Sequence, residues 1–131
     1  MSRENVELVR RFFEFAAERR LKELRGSFTP DFELREDSSM PEAETFYGPE
    51  AMEQWSRKWA TMFDYTYVPR EIHAAGESVL VEAVVRGRGK QSGLRTELIS
   101  YLLWTLCDGK FSSVDTYLDR TQAFNAAGLP R

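Results

Sequence analysis

The chain has one cysteine, Cys107, and one histidine, His73, among its 131 residues. One cysteine rules out an intrachain disulfide. One histidine without a Cys/His/Asp cluster at ligand spacing makes no metal site, so no metal and no other cofactor is expected. No apolar run approaches the ~18 residues of a membrane span, and no apolar signal segment follows the N-terminal charges; the expectation is a cytoplasmic protein that stays off membranes. The chain also lacks a concentrated basic face. Net charge is −3, and the arginine pairs Arg10–Arg11 and Arg19–Arg20 are interspersed with glutamates, as on a solvated helix. Nucleic acid, which needs such a face to neutralise phosphates, is not an expected partner. There is no internal repeat and no low-complexity tract.

What is present suffices for one core: 42% of residues are hydrophobic, in a length suited to a single domain over 1–131. Ser2 is placed to cap a first helix, with Glu4 in its first turn. Val6, Val9 and Phe13 recur at helical spacing, and Leu8, Phe12 and Phe15 widen the apolar face. A short helix around Leu21–Leu24 ends near Gly26, with Pro30 closing it. Phe32 to Glu36 alternates as a strand, and Asp37 to Phe46 reads as a polar loop. Gly48-Pro49-Glu50 opens a helix with proline in its first turn, carrying the stripe Met52, Trp55, Trp59 and Met62. Four strands follow: Tyr65–Ile72, an edge strand because of Pro69; Ser78–Arg86; Leu94–Leu106; and Phe111–Leu118. Asp119 caps a last helix that Gly128 ends. Helices first and strands later give an α+β fold with mainly antiparallel neighbours.

The turn at Cys107-Asp108-Gly109 decides which side chains share a face. A two-residue Asp-Gly turn and a three-residue bulged turn differ by one residue in register, which exchanges the faces. The two-residue turn sets Asp115 among leucines as an unpaired buried charge. The bulged turn is therefore expected. It gathers Leu98, Ser100, Leu102, Trp104, Val114, Thr116 and Leu118 on an inner face with Val79, Val81, Ala83 and Val85, and it sets Ser100 opposite Thr116. The outer face then carries Leu80, Glu82, Val84, Arg86, Glu97, Ile99, Tyr101, Leu103, Asp115 and Tyr117. So large an apolar row predicts a homodimer through this face, with Glu82, Arg86, Glu97 and Asp115 available to pair across a two-fold axis.

The order of elements, and the segments Asn5-Val6-Glu7, Val9-Arg10-Arg11-Phe12-Phe13, Tyr47-Gly48-Pro49-Glu50, Trp104-Thr105-Leu106 with Asp108-Gly109-Lys110, and Tyr117-Leu118-Asp119-Arg120, resemble the SnoaL-like branch of the nuclear transport factor-like families over nearly the whole chain. The resemblance implies a strongly curved sheet wrapped against helices as a cone around a blind pocket. In ketosteroid isomerase-like members the two oxyanion donors match Phe12 and Leu102 here, neither of which donates. The general base matches Glu36. In epoxide hydrolase-like members the Arg and two Asp match Ala83, Val85 and Thr116, so that constellation is absent.

Each candidate has a plainer alternative. Glu36 is either a base whose pKa an apolar pocket raises or an exposed strand-end carboxylate paired with Arg35 or another neighbour. Ser100 and Thr116 hold a ligand oxygen, or bond each other or a buried water. Trp55 and Trp59 wall a pocket or only pack the core. His73 reads as surface. Gly87, Gly89 and Gly93 lie between strands, not at a strand-to-helix turn, so no dinucleotide loop is expected. The apolar pocket expected from the two layers is Phe12, Phe28, Trp55 and Trp59 from the helical side against Leu98, Ser100, Leu102, Trp104, Val114, Thr116 and Leu118 from the sheet, with a small apolar ligand as partner. Three functions fit: binding a lipophilic metabolite and transforming it by proton transfer, binding without catalysis, or a protein-interaction domain.

Overall fold

In a computed structural model, residues 2–130 are described. Helix α1 (Ser2–Ala17) buries Val9, Phe12 and Phe13, the spacing that the sequence shows. The cap expected at Ser2 rests on a side chain outside the described residues. A 3-10 segment, Leu21–Ser27, leads into strand β1 (Phe28–Arg35). This strand begins four residues before the expected one and runs through Pro30. Strand β2 (Thr45–Tyr47) lies in the stretch read as loop, and helix α2 spans Ala51–Ala60. Pro49 thus precedes the helix instead of lying in its first turn, and Met62 falls beyond it, exposed. Strands β3 (Phe63–Ala75), β4 (Ser78–Gly89), β5 (Arg95–Cys107) and β6 (Lys110–Tyr117) follow, and helix α3 (Arg120–Ala127) ends the fold.

The six strands form one curved, unclosed sheet in the order β2-β1-β6-β5-β4-β3. Only the β1–β6 pair is parallel. This is the expected α+β architecture, and β3 is an edge strand as Pro69 implies.

The β5–β6 hairpin corrects the expected three-residue turn while keeping the expected faces. Cys107 pairs with Lys110, so the turn has two residues, Asp108 and Gly109, both at positive φ (51° and 76°), as a hairpin that twists with its strands requires. The bulge lies further on. Leu106 faces Phe111 but Thr105 faces Ser113, leaving Ser112 as the extra residue, its hydroxyl donating to the Thr105 carbonyl at 3.0 Å. One inserted residue restores the expected faces. Trp104 meets Val114 and Leu102 meets Thr116, so Thr116 is not opposite Ser100. Asp115 stays outside, gripped by both arms of the Arg35 guanidinium at 2.6 and 3.0 Å.

Part of the outer face is covered by α3. Ala123 and Phe124 pack on Leu80, Tyr101 and Leu103, all buried. Asp119 caps this helix by accepting from the Gln122 amide at 2.9 Å, and Gly128 ends it at φ 71°. Glu82, 2% exposed, accepts from Arg70 at 2.6 Å and from Arg120. Arg86 pairs with Glu97 at 2.8 Å. All four charges expected to pair across a two-fold axis are therefore paired within the chain. A dimer through this face would use what α3 leaves half-buried or exposed, such as Ile99, Tyr117 and Val68. No helix among the described residues is long and apolar enough to cross a membrane.

The main core lies between α1 and the inner face where β4, β5 and β6 run side by side. The Phe12, Trp104 and Phe111 rings meet there at 4.7 to 6.1 Å between centroids. Each such side chain removes apolar area worth ~1.5–3 kcal/mol from water. Beyond Tyr117 strand β6 stops, whereas β3, β4 and β5 continue, and the sheet opens.

Candidate functional site

A cavity of about 240 Å³ occupies that open end. Its walls include Trp55 and Trp59 of α2, Phe63, Tyr65 and Tyr67 of β3, Val85 of β4, Thr96, Leu98 and Ser100 of β5, Thr116 of β6 and Leu118 just beyond it. Cross-strand pairing explains the grouping: Tyr67 sits beside Val85 and Val85 beside Leu98. Leu98 and Leu118 are 46% and 45% exposed, so they stand at the mouth. Of the expected pocket residues, Trp55, Trp59, Leu98, Ser100, Thr116 and Leu118 line this space.

Phe12, Phe28, Leu102, Trp104 and Val114 do not line it. They belong to the packed core, because the phenylalanines of α1 and the first strand fill the closed end of the cone. The aromatic wall from β3 was not anticipated. Its signal was in the sequence: Phe63, Tyr65 and Tyr67 alternate with polar or exposed residues, the period of a strand with one covered face.

Glu36 follows the last residue of β1 at the inner edge of the cavity, its side chain 1% exposed. One carboxylate oxygen accepts from the Lys58 ammonium at 2.6 Å and from the Glu44 amide at 3.0 Å. The other accepts from the indole N–H groups of Trp55 and Trp59, each at 2.9 Å. Trp55, Lys58 and Trp59 are spaced three and four apart along α2, so one helix face delivers all three donors. Burial pushes the Glu36 pKa up, but Lys58, the two indoles and the amide outweigh it, and the net direction is down. This reverses the raised pKa expected of a base in an apolar pocket; the plainer alternative is corrected too, since the carboxylate is buried, not exposed, and its partner is Lys58, not Arg35. Lys58 also meets Glu44 at 2.9 Å. Burial lowers its pKa and the two carboxylates raise it, the net direction being up.

The next residue fastens the cavity's other side. Asp37, buried, accepts from the Ser39 amide and the Leu118 amide, both at 2.8 Å, while its own amide donates to the Thr116 hydroxyl at 3.0 Å. Burial raises the Asp37 pKa, and the two amides carry the net shift down. Tyr65 donates to the Ser56 carbonyl at 3.3 Å, tying β3 to α2. Tyr67 packs edge-on against Trp55, centroids 5.7 Å apart. Burial holds its pKa above the ordinary tyrosine value, the Ser100 hydroxyl acting against that and the charge of Glu36 adding to it. His73 lies outside the cavity, beside Phe124 and 3.2 Å from Glu71. Cys107 is exposed at its turn. Among the described residues no group of three or more His, Cys, Asp or Glu could hold a metal.

A curved sheet packed against helices, with an aromatic-walled cavity at its open end, defines the class. The profile of the SnoaL-like domain matches residues 9–114. The chain belongs to the SnoaL-like domain family. A nuclear transport factor 2-like protein from Burkholderia xenovorans is 30% identical over 97% of both chains, with a TM-score of 0.77. A putative SnoaL-like polyketide cyclase from Jannaschia is 21% identical over 99% of this chain and 95% of its own, TM-score 0.77. TerC, co-crystallised with polyporic acid, is 21% identical over 95% of this chain and 97% of its own, TM-score 0.77. The search of curated proteins finds no match.

Proposed function

We propose that the chain binds a small lipophilic metabolite in the aromatic cavity, and that Glu36 is the ionised anchor of that cavity and not a proton carrier. The observation that carries this reading is the saturation of Glu36. Four donors occupy its two oxygens, and a carboxylate held ionised in this way has little basicity left with which to take a proton from carbon. The resemblance also matches the oxyanion donors of ketosteroid isomerase-like members to Phe12 and Leu102, neither of which donates. A base without such donors lacks the larger electrostatic contribution to catalysis.

The walls support a binding role. Two tryptophans, two tyrosines and a phenylalanine surround the space, and rings of this kind stack on planar partners. An apolar cavity of ~150 Å³ accepts benzene, so about 240 Å³ suits a substituted ring or a small bicyclic compound. Native mass spectrometry of the protein incubated with a metabolite extract tests this. A retained small molecule, lost when Trp59→Ala removes one wall, is the expected result. A captured compound that is released chemically altered, with alteration abolished in Glu36→Gln, would return Glu36 to the role of base.

A further inference from the structure

A second hollow lies on the outer side of the sheet, a groove of about 400 Å³ where β3, β4 and β5 run past the end of β6. Its charges come from Asp64, Arg86, Arg88, Arg95 and Glu97. Arg86 sits beside Glu97 across β4 and β5. Two residues further out, on the same face, Arg88 sits directly beside Arg95. Asp64 of β3 flanks Arg88 on its other side. The Arg86 guanidinium donates to Glu97 at 2.8 Å, and Asp64 has Lys90 for its ion-pair partner, at 3.9 Å. Neither Arg88 nor Arg95 has an ion pair or a side-chain hydrogen bond among the described residues. Like charges directly opposite on neighbouring strands repel, and here the ladder sets two guanidinium groups side by side with no acid between them. The strand ends that carry them are fastened: the Gly89 amide donates to the Leu94 carbonyl and the Gly93 amide to the Gly89 carbonyl, both at 2.9 Å.

The balance of charge points to one kind of occupant. Arg86 offsets Glu97 and Lys90 offsets Asp64, so two positive charges remain, those of Arg88 and Arg95. They match a dianion. Each guanidinium presents a planar fork of donors that takes a pair of oxygens. A carboxylate has two oxygens and fills one fork. A phosphoryl group has three terminal oxygens, one of which two forks can share, and it carries a charge of about −1.5 to −2 at neutral pH. The acids bordering the groove, Asp64 and Glu97, repel the continuing charge of an extended polyanion. From this arrangement we infer that Arg88 and Arg95 form a binding site for the phosphoryl group of a small molecule, either inorganic phosphate or a phosphate monoester. The site is on the outer face, whereas the aromatic cavity is on the inner one, and its occupancy is independent of what the cavity holds.

Calorimetric titration with inorganic phosphate, methyl phosphate and acetate, at one low ionic strength, tests this. None of the three carries a ring to occupy the aromatic cavity. One phosphoryl group per chain is expected to bind, about tenfold more tightly than acetate, and more weakly as sodium chloride is added. Arg88→Gln and Arg95→Gln should each weaken binding by about tenfold or more, the scale of hydrogen bonds to a charged partner. Lys110→Gln removes the same charge at the far end of β5 and β6, where Lys110 pairs with Cys107, and should leave the affinity unchanged. Without phosphate the two arginine variants should melt no lower than wild type, because each loses a like-charged neighbour; loss of binding is then not loss of fold. Tighter binding of methyl phosphate than of inorganic phosphate would support the site and mark an ester as its occupant, and the reverse order would support it with free phosphate. Acetate bound as tightly as phosphate would overturn the phosphoryl class. Equal weakening by Lys110→Gln would reduce the effect to net charge and overturn the site. No saturable binding at millimolar phosphate would overturn it outright and leave the reading of the aromatic cavity untouched.

Discussion

Replacing Glu36 by glutamine separates an anchor from a base through stability alone, without knowledge of the ligand. A base waiting in a pocket contributes little to folding, and an isosteric amide there should change stability by no more than ~0.5 kcal/mol. An anchor behaves otherwise. The amide oxygen can still accept, but the NH₂ group must face two of the four donors now on Glu36, either the indoles of Trp55 and Trp59 or Lys58 and the Glu44 amide. Each buried donor left without an acceptor costs ~1–3 kcal/mol. Breaking a buried ion pair costs ~3–5 kcal/mol, less here because Lys58 is 22% exposed and retains Glu44. These costs overlap, and a destabilisation of about 3–4 kcal/mol is expected. For a domain of this size each kcal/mol shifts the melting temperature by roughly 3–5 °C, so the variant should melt about 10–20 °C lower by circular dichroism. The pH dependence supplies a second check. The folded pKa of Glu36 is depressed below the ordinary 4.5, so its contribution is present in full above 4.5 and is lost as pH falls through the folded value. Wild type and variant should therefore converge in stability under acid. An unchanged melting temperature at pH 7 would refute the anchor.

Other expectations follow from the same contacts. Lys58→Met removes the cation from Glu36; the folded pKa of the carboxylate should rise relative to wild type, so that acid-induced loss of stability begins at a higher pH in melting curves. Leu102→Asp places a charge at a site 1% exposed and should cost ~3–5 kcal/mol in chemical denaturation; a wild-type midpoint would mean that Leu102 faces water. Phe124→Ala should cost ~3 kcal/mol or more, and by loosening α3 it should raise the fluorescence of a hydrophobic dye as Leu80, Tyr101 and Leu103 become accessible. No increase in dye binding would show that α3 stays seated without its largest side chain.

The elements most legible in the sequence were those with strong periodicity or punctuation. Val9, Phe12 and Phe13 fixed the buried stripe of α1, and Asp119 with Gly128 marked both ends of α3. The sorting of sheet faces was readable too, because only one parity keeps Asp115 away from the leucines. The means by which the chain achieves that parity was not, since a turn and a bulge two residues apart leave the same alternation. The pocket was legible in part. Trp55, Trp59, Ser100 and Thr116 could be placed on inward faces, but depth along the cone depends on where β6 stops relative to β5, which no local pattern records. Glu36 was identifiable as a carboxylate at the end of a strand. Its environment was not, because three of its four donors come from α2, about twenty residues on, and meet it only in the folded chain.

The bulge at Ser112 has a consequence for how this hairpin can change over evolutionary time. Insertions or deletions of two residues between β5 and β6 preserve the alternation of faces, whereas a change of one inverts it. Deleting Ser112 alone would carry Asp115 inward and Val114 outward, stripping Arg35 of its bidentate partner and opening the closed end of the cone. One added residue between Cys107 and Lys110 would restore the balance by making the turn carry the odd residue instead. Length variants of this hairpin among descendants should therefore fall into two coupled groups, a short turn with the bulge and a longer turn without it, and single losses of either should be purged.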